Sequence, residues 1–280
     1  MLPLRQVDVF SAVPLLGNPV AVVHDADALS DEQMAAFARW TNLSETTFLL
    51  APRSPAADYR VRIFTPGGEL PFAGHPTLGS AHAWLEAGGV PRDPARVVQE
   101  CGAGDVVVRR GERLAFAGPP LLRDGPLDDA TLEVAARAVG VVPGEVVEAA
   151  WIDNGPGWLG LLLRDADAVR DCRLDRETAG DLKIGVVGLV GETGPGEESG
   201  VAVEVRAFAP SLGVGEDPVT GSLNAGIAAW LAGSRLPTSY VAAQGAALGR
   251  RGRVYVDVED GVVWVGGDTL TTIVGEVALP

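Results

Sequence analysis

The sequence predicts an α/β protein made of two related halves, and three internal echoes carry that expectation. Gly74-His75-Pro76-Thr77-Leu78-Gly79-Ser80 and Glu216-Asp217-Pro218-Val219-Thr220-Gly221-Ser222 are near copies. Each is a turn that opens an apolar run of small residues, with one proton-active side chain directly before the proline. Val61-Arg62-Ile63-Phe64-Thr65-Pro66 is echoed by Val205-Arg206-Ala207-Phe208-Ala209-Pro210. Asp25-Ala26-Asp27-Ala28-Leu29 is echoed by Asp165-Ala166-Asp167-Ala168-Val169. The echoes keep their order and lie 142, 144 and 140 positions apart, about half of the 280-residue chain. That period is too long for a solenoid and suits two pseudo-symmetric domains. The alternative is one domain with recurring loop types, which leaves the shared order to coincidence.

The elements follow from local chemistry. Val7–Phe10 and Pro19–Val23 read as strands joined through Gly17-Asn18-Pro19. Ser30 with Gln33 three residues on is a capping box, and Met34, Phe37 and Trp40 follow at helical spacing. This helix ends near Thr41-Asn42, and the β-branched and aromatic residues of Ser44–Leu50 read as a strand. Tyr59–Phe64 alternates as a strand does. Pro66-Gly67-Gly68 turns the chain into a helix over Pro76–Ala87, with proline in its first turn and Gly88-Gly89 as its stop. Short strands follow at Val97–Gln99, Val106–Arg109 and Leu114–Phe116. Gly118-Pro119-Pro120 marks a boundary, after which the plan repeats. The expected halves are 1–120 and 121–267, with the strand-rich end, 268–280, open to joining the first.

Composition narrows the function. Hydrophobic residues make up 47% of the chain, enough for two cores. The net charge of −15 opposes a nucleic-acid partner, because phosphate binding needs clustered lysine and arginine. Lys183 is the only lysine, and no motif singles it out for Schiff-base chemistry. Two cysteines, Cys101 and Cys172, do not make a disulfide framework. The start lacks a signal-peptide pattern and no apolar run is long enough to span a membrane, so a soluble cytoplasmic protein without a membrane partner is expected. No His or Cys cluster with metal-ligand spacing is present, and no metal is expected.

The chemistry is expected at the helix starts. Free backbone N–H groups and the positive end of the helix dipole suit a carboxylate there, and Gly74, Gly79, Gly221, Ser80 and Ser222 let it approach. Ser80, Thr220 and Ser222 taken singly would read as caps. His75 and Asp217, matched in the two copies, are the proton-active candidates, although Asp before Pro is also a common turn residue. His24 and His82 read as structural or surface residues. Glu45, between a helix end and an apolar strand, is the third candidate. Counting 140 positions on puts its counterpart near Gly185, so a carboxylate would exist in one half only. A surface glutamate would look the same.

These residues resemble the PhzF family of phenazine-biosynthesis-like isomerases. The resemblance rests on Phe10 with Gly17-Asn18-Pro19-Val20-Ala21-Val22-Val23, on Asn42-Leu43-Ser44-Glu45-Thr46-Thr47-Phe48, and on Phe72–Gly79. It continues through Glu216–Ser222 and Gln244-Gly245 with Gly249-Arg250. It implies the diaminopimelate-epimerase-like fold: two similar α/β domains, each a curved sheet or barrel around a central helix, with the site in the cleft between them. It implies Glu45 as the acid/base, His75 and Asp217 as catalytic partners, and Ser44, Gly74, Gly221 and Ser222 as substrate-binding residues. It implies a small carboxylate substrate, no cofactor, no metal and a homodimer. Racemases of this fold place a cysteine where this chain has His75 and Asp217, which disfavours a two-thiol mechanism. An epimerase without thiols and a non-catalytic binding protein are the competing readings. Asp268 after Gly266-Gly267 departs from the family pattern, and Trp151 and Trp158 either pack or shape the cleft.

Overall fold

The computed structural model describes residues 1–191, 200–212 and 214–279. The chain divides into two compact units, Met1–Ala117 with Gly266–Pro280, and Gly118–Val265. Among the described residues no helix is long and apolar enough to cross a membrane.

The first unit runs β1 (Leu2–Val9), β2 (Asn18–Val23), α1 (Asp31–Thr41), β3 (Glu45–Leu50), β4 (Tyr59–Thr65), β5 (Gly68–Leu70), α2 (Gly74–Glu86), β6 (Arg96–Cys101), β7 (Gly104–Arg109) and β8 (Leu114–Ala117). The second runs β9 (Arg123–Pro126), α3 (Asp129–Ala138), β10 (Val146–Asp153), β11 (Trp158–Leu163), α4 (Ala166–Asp171), α5 (Arg176–Ala179), β12 (Lys183–Leu189), β13 (Val201–Ala209), β14 (Val214–Asp217), α6 (Gly221–Leu231), β15 (Ser239–Gln244), β16 (Gly252–Glu259) and β17 (Val262–Gly267). The last strand, β18 (Thr269–Val277), pairs antiparallel with β1 and so returns to the first unit.

The duplication is visible in the pairings. In the first unit β1–β2 is antiparallel, β2–β3 parallel, β3–β4 and β4–β5 antiparallel, β4–β6 parallel and β6–β7 antiparallel. In the second, β10–β11, β11–β12, β12–β13, β13–β14, β13–β15 and β15–β16 repeat that succession.

Each sheet is covered on both faces, and β3 shows how. Side chains alternate across a strand. Thr46 meets Thr41 of α1 through their hydroxyls at 2.9 Å, and Phe48 and Leu50 join Met34, Phe37 and Ala38 in one apolar cluster. The intervening Thr47 accepts from Ser80 of α2 at 2.9 Å. Helix α1 is therefore the outer layer and α2 the inner one. Ser30 and Gln33 close the capping box of α1, and Asn42 ends it with φ 54°.

Helix α2 is buried along most of its length, from Gly74 through Ala81. Small residues let it lie against the sheet: a Cβ on Gly79 would stand 2.3 Å from Val20 Cγ1. In the second unit the glycines sit on the strands as well. A Cβ on Gly185 would stand 2.3 Å from Leu223 Cδ1 of α6. The outer layer there is α3 with α4 and α5, whose Ala135, Ala138, Val169 and Ala179 pack on Leu159, Leu161, Ile184 and Val186.

The two copies of the proline motif take different structural positions. His75 and Pro76 lie inside the first turn of α2, whereas Asp217 ends β14 and Pro218 precedes α6. The pairing register agrees. Ile63 faces Leu70 and Ala207 faces Asp217, so Asp217 holds in its unit the place of Leu70. Counted from the helix starts at Gly74 and Gly221, the counterpart of His75 is Ser222. The turns into the two helices are equal in length; the connection from β13 to β14 is longer than that from β4 to β5, which a motif match alone does not register.

Candidate active site

In the first unit, Glu45 is the first residue of β3 and His75 the second of α2. Glu45 stands two places before Thr47, on the face that packs against α2. Its carboxylate Oε2 lies 3.5 Å from His75 Nδ1, with the side chains 16% and 5% exposed. Asn18, fully buried at the start of β2, brings its amide nitrogen to 3.4 Å from the same Nδ1. Burial drives the pKa of His75 down to about 3, against an opposing hydrogen bond with the Pro19 backbone. The imidazole is therefore neutral near neutral pH. With hydrogen on Nδ1 it donates toward Glu45; with Nδ1 bare it accepts from Asn18. Asn18 was not among the sequence candidates, although it stands inside the Gly17-Asn18-Pro19 motif. Ser44 lies in the bend before Glu45, half-buried, and Gly74 is the buried first residue of α2.

In the second unit, Asp217 belongs to a hydrogen-bonded group. The Thr220 hydroxyl donates to Asp217 Oδ2 at 2.5 Å. Gln244 Nε2 donates to Thr220 Oγ1 at 2.9 Å and to the Asp217 carbonyl at 3.1 Å. Gln244 Oε1 accepts from the Thr220 backbone N–H and from Asn224 Nδ2, both at 3.0 Å. The next residue before Asp217 is also anchored: Glu216 takes a bidentate pair from the buried guanidinium of Arg206, at 2.8 and 2.7 Å. Gln244 carries the support of this group and was legible only as part of a motif. Asn224, one turn into α6, gave no sequence signal.

Gly221 is the buried first residue of α6, and Ser222 follows it. Trp158 Nε1 donates to Ser222 Oγ at 3.0 Å, and Asn154 Nδ2 donates to the Ser222 carbonyl at 2.9 Å. Trp158 thus holds a site candidate, while Trp151 stacks under the Arg123 guanidinium 3.5 Å from its ring centroid. Asp268 pairs with Arg113 at 3.1 Å. Cys101 and Cys172 are buried free thiols, and burial raises both pKa values, that of Cys172 to about 11. His24 and His82 take part in polar contacts with Arg5 and with Thr269 and Thr271, away from Glu45.

The sequence matches the family described as phenazine biosynthesis-like protein over residues 7–278. The chain belongs to the PhzF family. A solved PhzF-family structure from Enterococcus faecalis superposes with a TM-score of 0.82 at 26% identity, covering 99% of both chains, and the diaminopimelate-epimerase-like fold is shared. Among curated PhzF-like relatives, the trans-2,3-dihydro-3-hydroxyanthranilate isomerase of Pseudomonas aeruginosa is 35% identical over 90% of this chain and 89% of its own length. The antisense-enhancing sequence 1 protein of Schizosaccharomyces pombe is 37% identical over 97% of each chain. The isomerase relative supports an isomerase within this family.

Proposed function

We propose that this chain is a cofactor-independent isomerase that moves a proton on a small carboxylated substrate, with Glu45 as the acid/base. The observation that carries this reading is the pairing of Glu45 with a neutral, buried His75 at the start of α2. A neutral imidazole can steady the carboxylate in either protonation state, so the carboxyl can take a proton at one carbon and return it at another. Asp217 is the second proton-active group, held by Thr220, and Ser44, Gly74, Gly221 and Ser222 offer hydrogen-bond donors to the substrate. The substrate is taken to meet both helix starts, as the resemblance implies. The raised thiol pKa values of Cys101 and Cys172 oppose a thiolate mechanism.

The test uses trans-2,3-dihydro-3-hydroxyanthranilate, after the Pseudomonas relative. Incubated with the purified chain in D2O, it should isomerise with incorporation of solvent deuterium, followed by NMR. Glu45→Gln should abolish the incorporation. Inversion at a stereocentre without a shift of a double bond would select the epimerase instead. Turnover that survives Glu45→Gln would remove Glu45 from the mechanism. We also propose a homodimer, to be checked by light scattering on the same preparation.

A further inference from the structure

A cavity of about 670 Å³ opens in the first unit between the second half of α2, the turn from β7 to β8 and the start of β18. Its wall includes His82, Arg110, Arg113 and Thr269, with Leu85 and Leu114 as apolar surface. None of the residues proposed above for proton transfer or substrate binding lines it.

A chain of hydrogen bonds runs behind this wall. His82 and Glu86 stand one turn apart on α2, and Thr269 and Thr271 share one face of β18. Thr271 Oγ1 donates to Glu86 Oε2 at 2.8 Å, and Arg5 Nε donates to the same oxygen at 2.8 Å. His82 Nε2 lies 3.0 Å from Thr271 Oγ1, and His82 Nδ1 lies 2.9 Å from Thr269 Oγ1. Burial opposes ionisation of Glu86, but the bonds from Thr271 and Arg5 outweigh it and hold its carboxyl below the usual value. Glu86 is therefore an acceptor only, and the Thr271 proton is committed to it. His82 Nε2 must then carry a hydrogen and donate to Thr271. Burial also lowers the pKa of His82, which keeps the ring neutral near neutral pH. Its Nδ1 is bare and accepts from the Thr269 hydroxyl.

A hydroxyl whose proton rests on a neutral imidazole, itself oriented through its other nitrogen, has the arrangement of an activated nucleophile. A chain that only tied α2 to β18 would need no cavity beside it, yet both Thr269 and His82 line one. We propose that this cavity is a second active site, in which Thr269, with His82 as its base, takes the acyl group from an activated ester of a small carboxylic acid. Thr269 Oγ1 bonds to the acyl carbon while its proton passes to His82 Nδ1. The bond from that carbon to the leaving oxygen breaks, and the leaving oxygen takes the proton from His82. Water then attacks the acyl-threonine, gives a proton to His82, and Thr269 departs and recovers that proton. Thr271 and Glu86 are positioning residues: they fix the tautomer and steady the imidazolium that forms between the two transfers. Arg110 and Arg113 bring guanidinium N–H donors to the same wall for the oxyanion. The reaction makes no use of Glu45 and stands apart from the function proposed above.

The test uses p-nitrophenyl acetate and the full chain. Release of p-nitrophenol should exceed the buffer rate, and an acid-quenched sample should carry acetyl on Thr269, located by peptide mass spectrometry. Neutral hydroxylamine should remove that label, because it cleaves an ester and leaves acetyl amides at Lys183 and the α-amino group in place. Thr269→Val should abolish the label and lower hydrolysis by about a hundredfold or more, and Thr269→Ser should keep both. His82→Gln should slow acetylation of Thr269 by about a hundredfold or more. Thr271→Val should slow it as well, with rescue by Thr271→Ser, which restores the hydroxyl; a merely structural contact would change the melting temperature and not this rate. Should a variant fail to fold, the labelling of the parent chain still decides. No acetyl on Thr269, or hydrolysis that survives Thr269→Val in a folded variant, overturns the proposal. Labelling of Thr269 at an unchanged rate in folded His82→Gln overturns the assignment of the base.

Discussion

The carboxylate Oε2 of Glu45 lies 3.5 Å from the imidazole Nδ1 of His75, across the line where a strand start meets a helix start. The two residues are thirty positions apart in sequence, and neither is placed by its own local propensity. Alternation in β3 turns Glu45 inward with Thr47, and the Ser80–Thr47 hydrogen bond sets the height of α2 against that strand.

Removal of the base should separate chemistry from folding. Glu45→Gln keeps shape and polarity and is expected to lower kcat by roughly 10²- to 10⁴-fold, the usual contribution of a positioned general base. Its thermal midpoint should stay within a few degrees of the parent. Steady-state kinetics and calorimetry on one preparation check both, and a large fall in midpoint would make Glu45 a structural residue.

His75 should leave a mark on acid stability. Its folded pKa is about 3 and its ordinary value 6.5. Between these the unfolded chain binds a proton that the folded protein does not. Stability from this group is therefore complete above about pH 6.5 and falls as pH drops toward 3, with a slope of up to about 1.4 kcal/mol per pH unit. His24 and His82 are lowered too and act in the same direction. The comparison that isolates His75 is the denaturation free energy of His75→Gln against the parent from pH 7 to 4. The variant should show the shallower decline.

Asp217 should matter more to activity than to stability. Asp217→Ala is expected to cost activity by tenfold or more while destabilising the fold by about 1–2 kcal/mol, from the hydrogen bond of Thr220 that it loses. Urea denaturation and kinetics compared side by side decide it. Parallel losses would return Asp217 to the role of a turn residue.

The close approach of α2 to the sheet predicts a coupled pair. Gly79→Ala gains helix propensity of about 1 kcal/mol, but its Cβ meets Val20 Cγ1, so a net loss of about 1–3 kcal/mol is expected. Combined with Val20→Ala, which by itself leaves a cavity, the double variant should be more stable than the sum of the two singles by about 1 kcal/mol or more. Additive losses would mean that the helix simply shifts away.

Arg206 and Glu216 form the buried ion pair beside Asp217. Arg206→Met leaves the carboxylate uncompensated and also strips donors from the carbonyls of Val169, Arg170 and Cys172. A loss of about 3–5 kcal/mol is expected by chemical denaturation, with Glu216→Gln less severe.

Several features are legible in the amino-acid sequence. The capping box at Ser30 and Gln33, the αL stop at Asn42 and the strand of Tyr59–Thr65 rest on neighbours in sequence, where propensity and periodicity act directly. The echoed segments announce a repeated architecture, and the strand pairings of both units repeat in the same succession. The site is less legible. Asn18 and Gln244 lie inside recognisable motifs, but their contacts with His75 and Thr220 join distant strands to helix starts. Asn224 looks like an ordinary helix residue, and Trp158 reads either as packing or as shaping the cleft.

Local chemistry and motif order are enough to fix the duplicated α/β plan, the family, and the identities of Glu45, His75 and Asp217 as proton-active candidates. They do not fix which residue of one half answers to which residue of the other. That equivalence is set in space, by strand register and helix starts. Asp217 proves the counterpart of Leu70 and Ser222 that of His75. A connection that differs by a few residues, as between β13 and β14, shifts every count made along the chain.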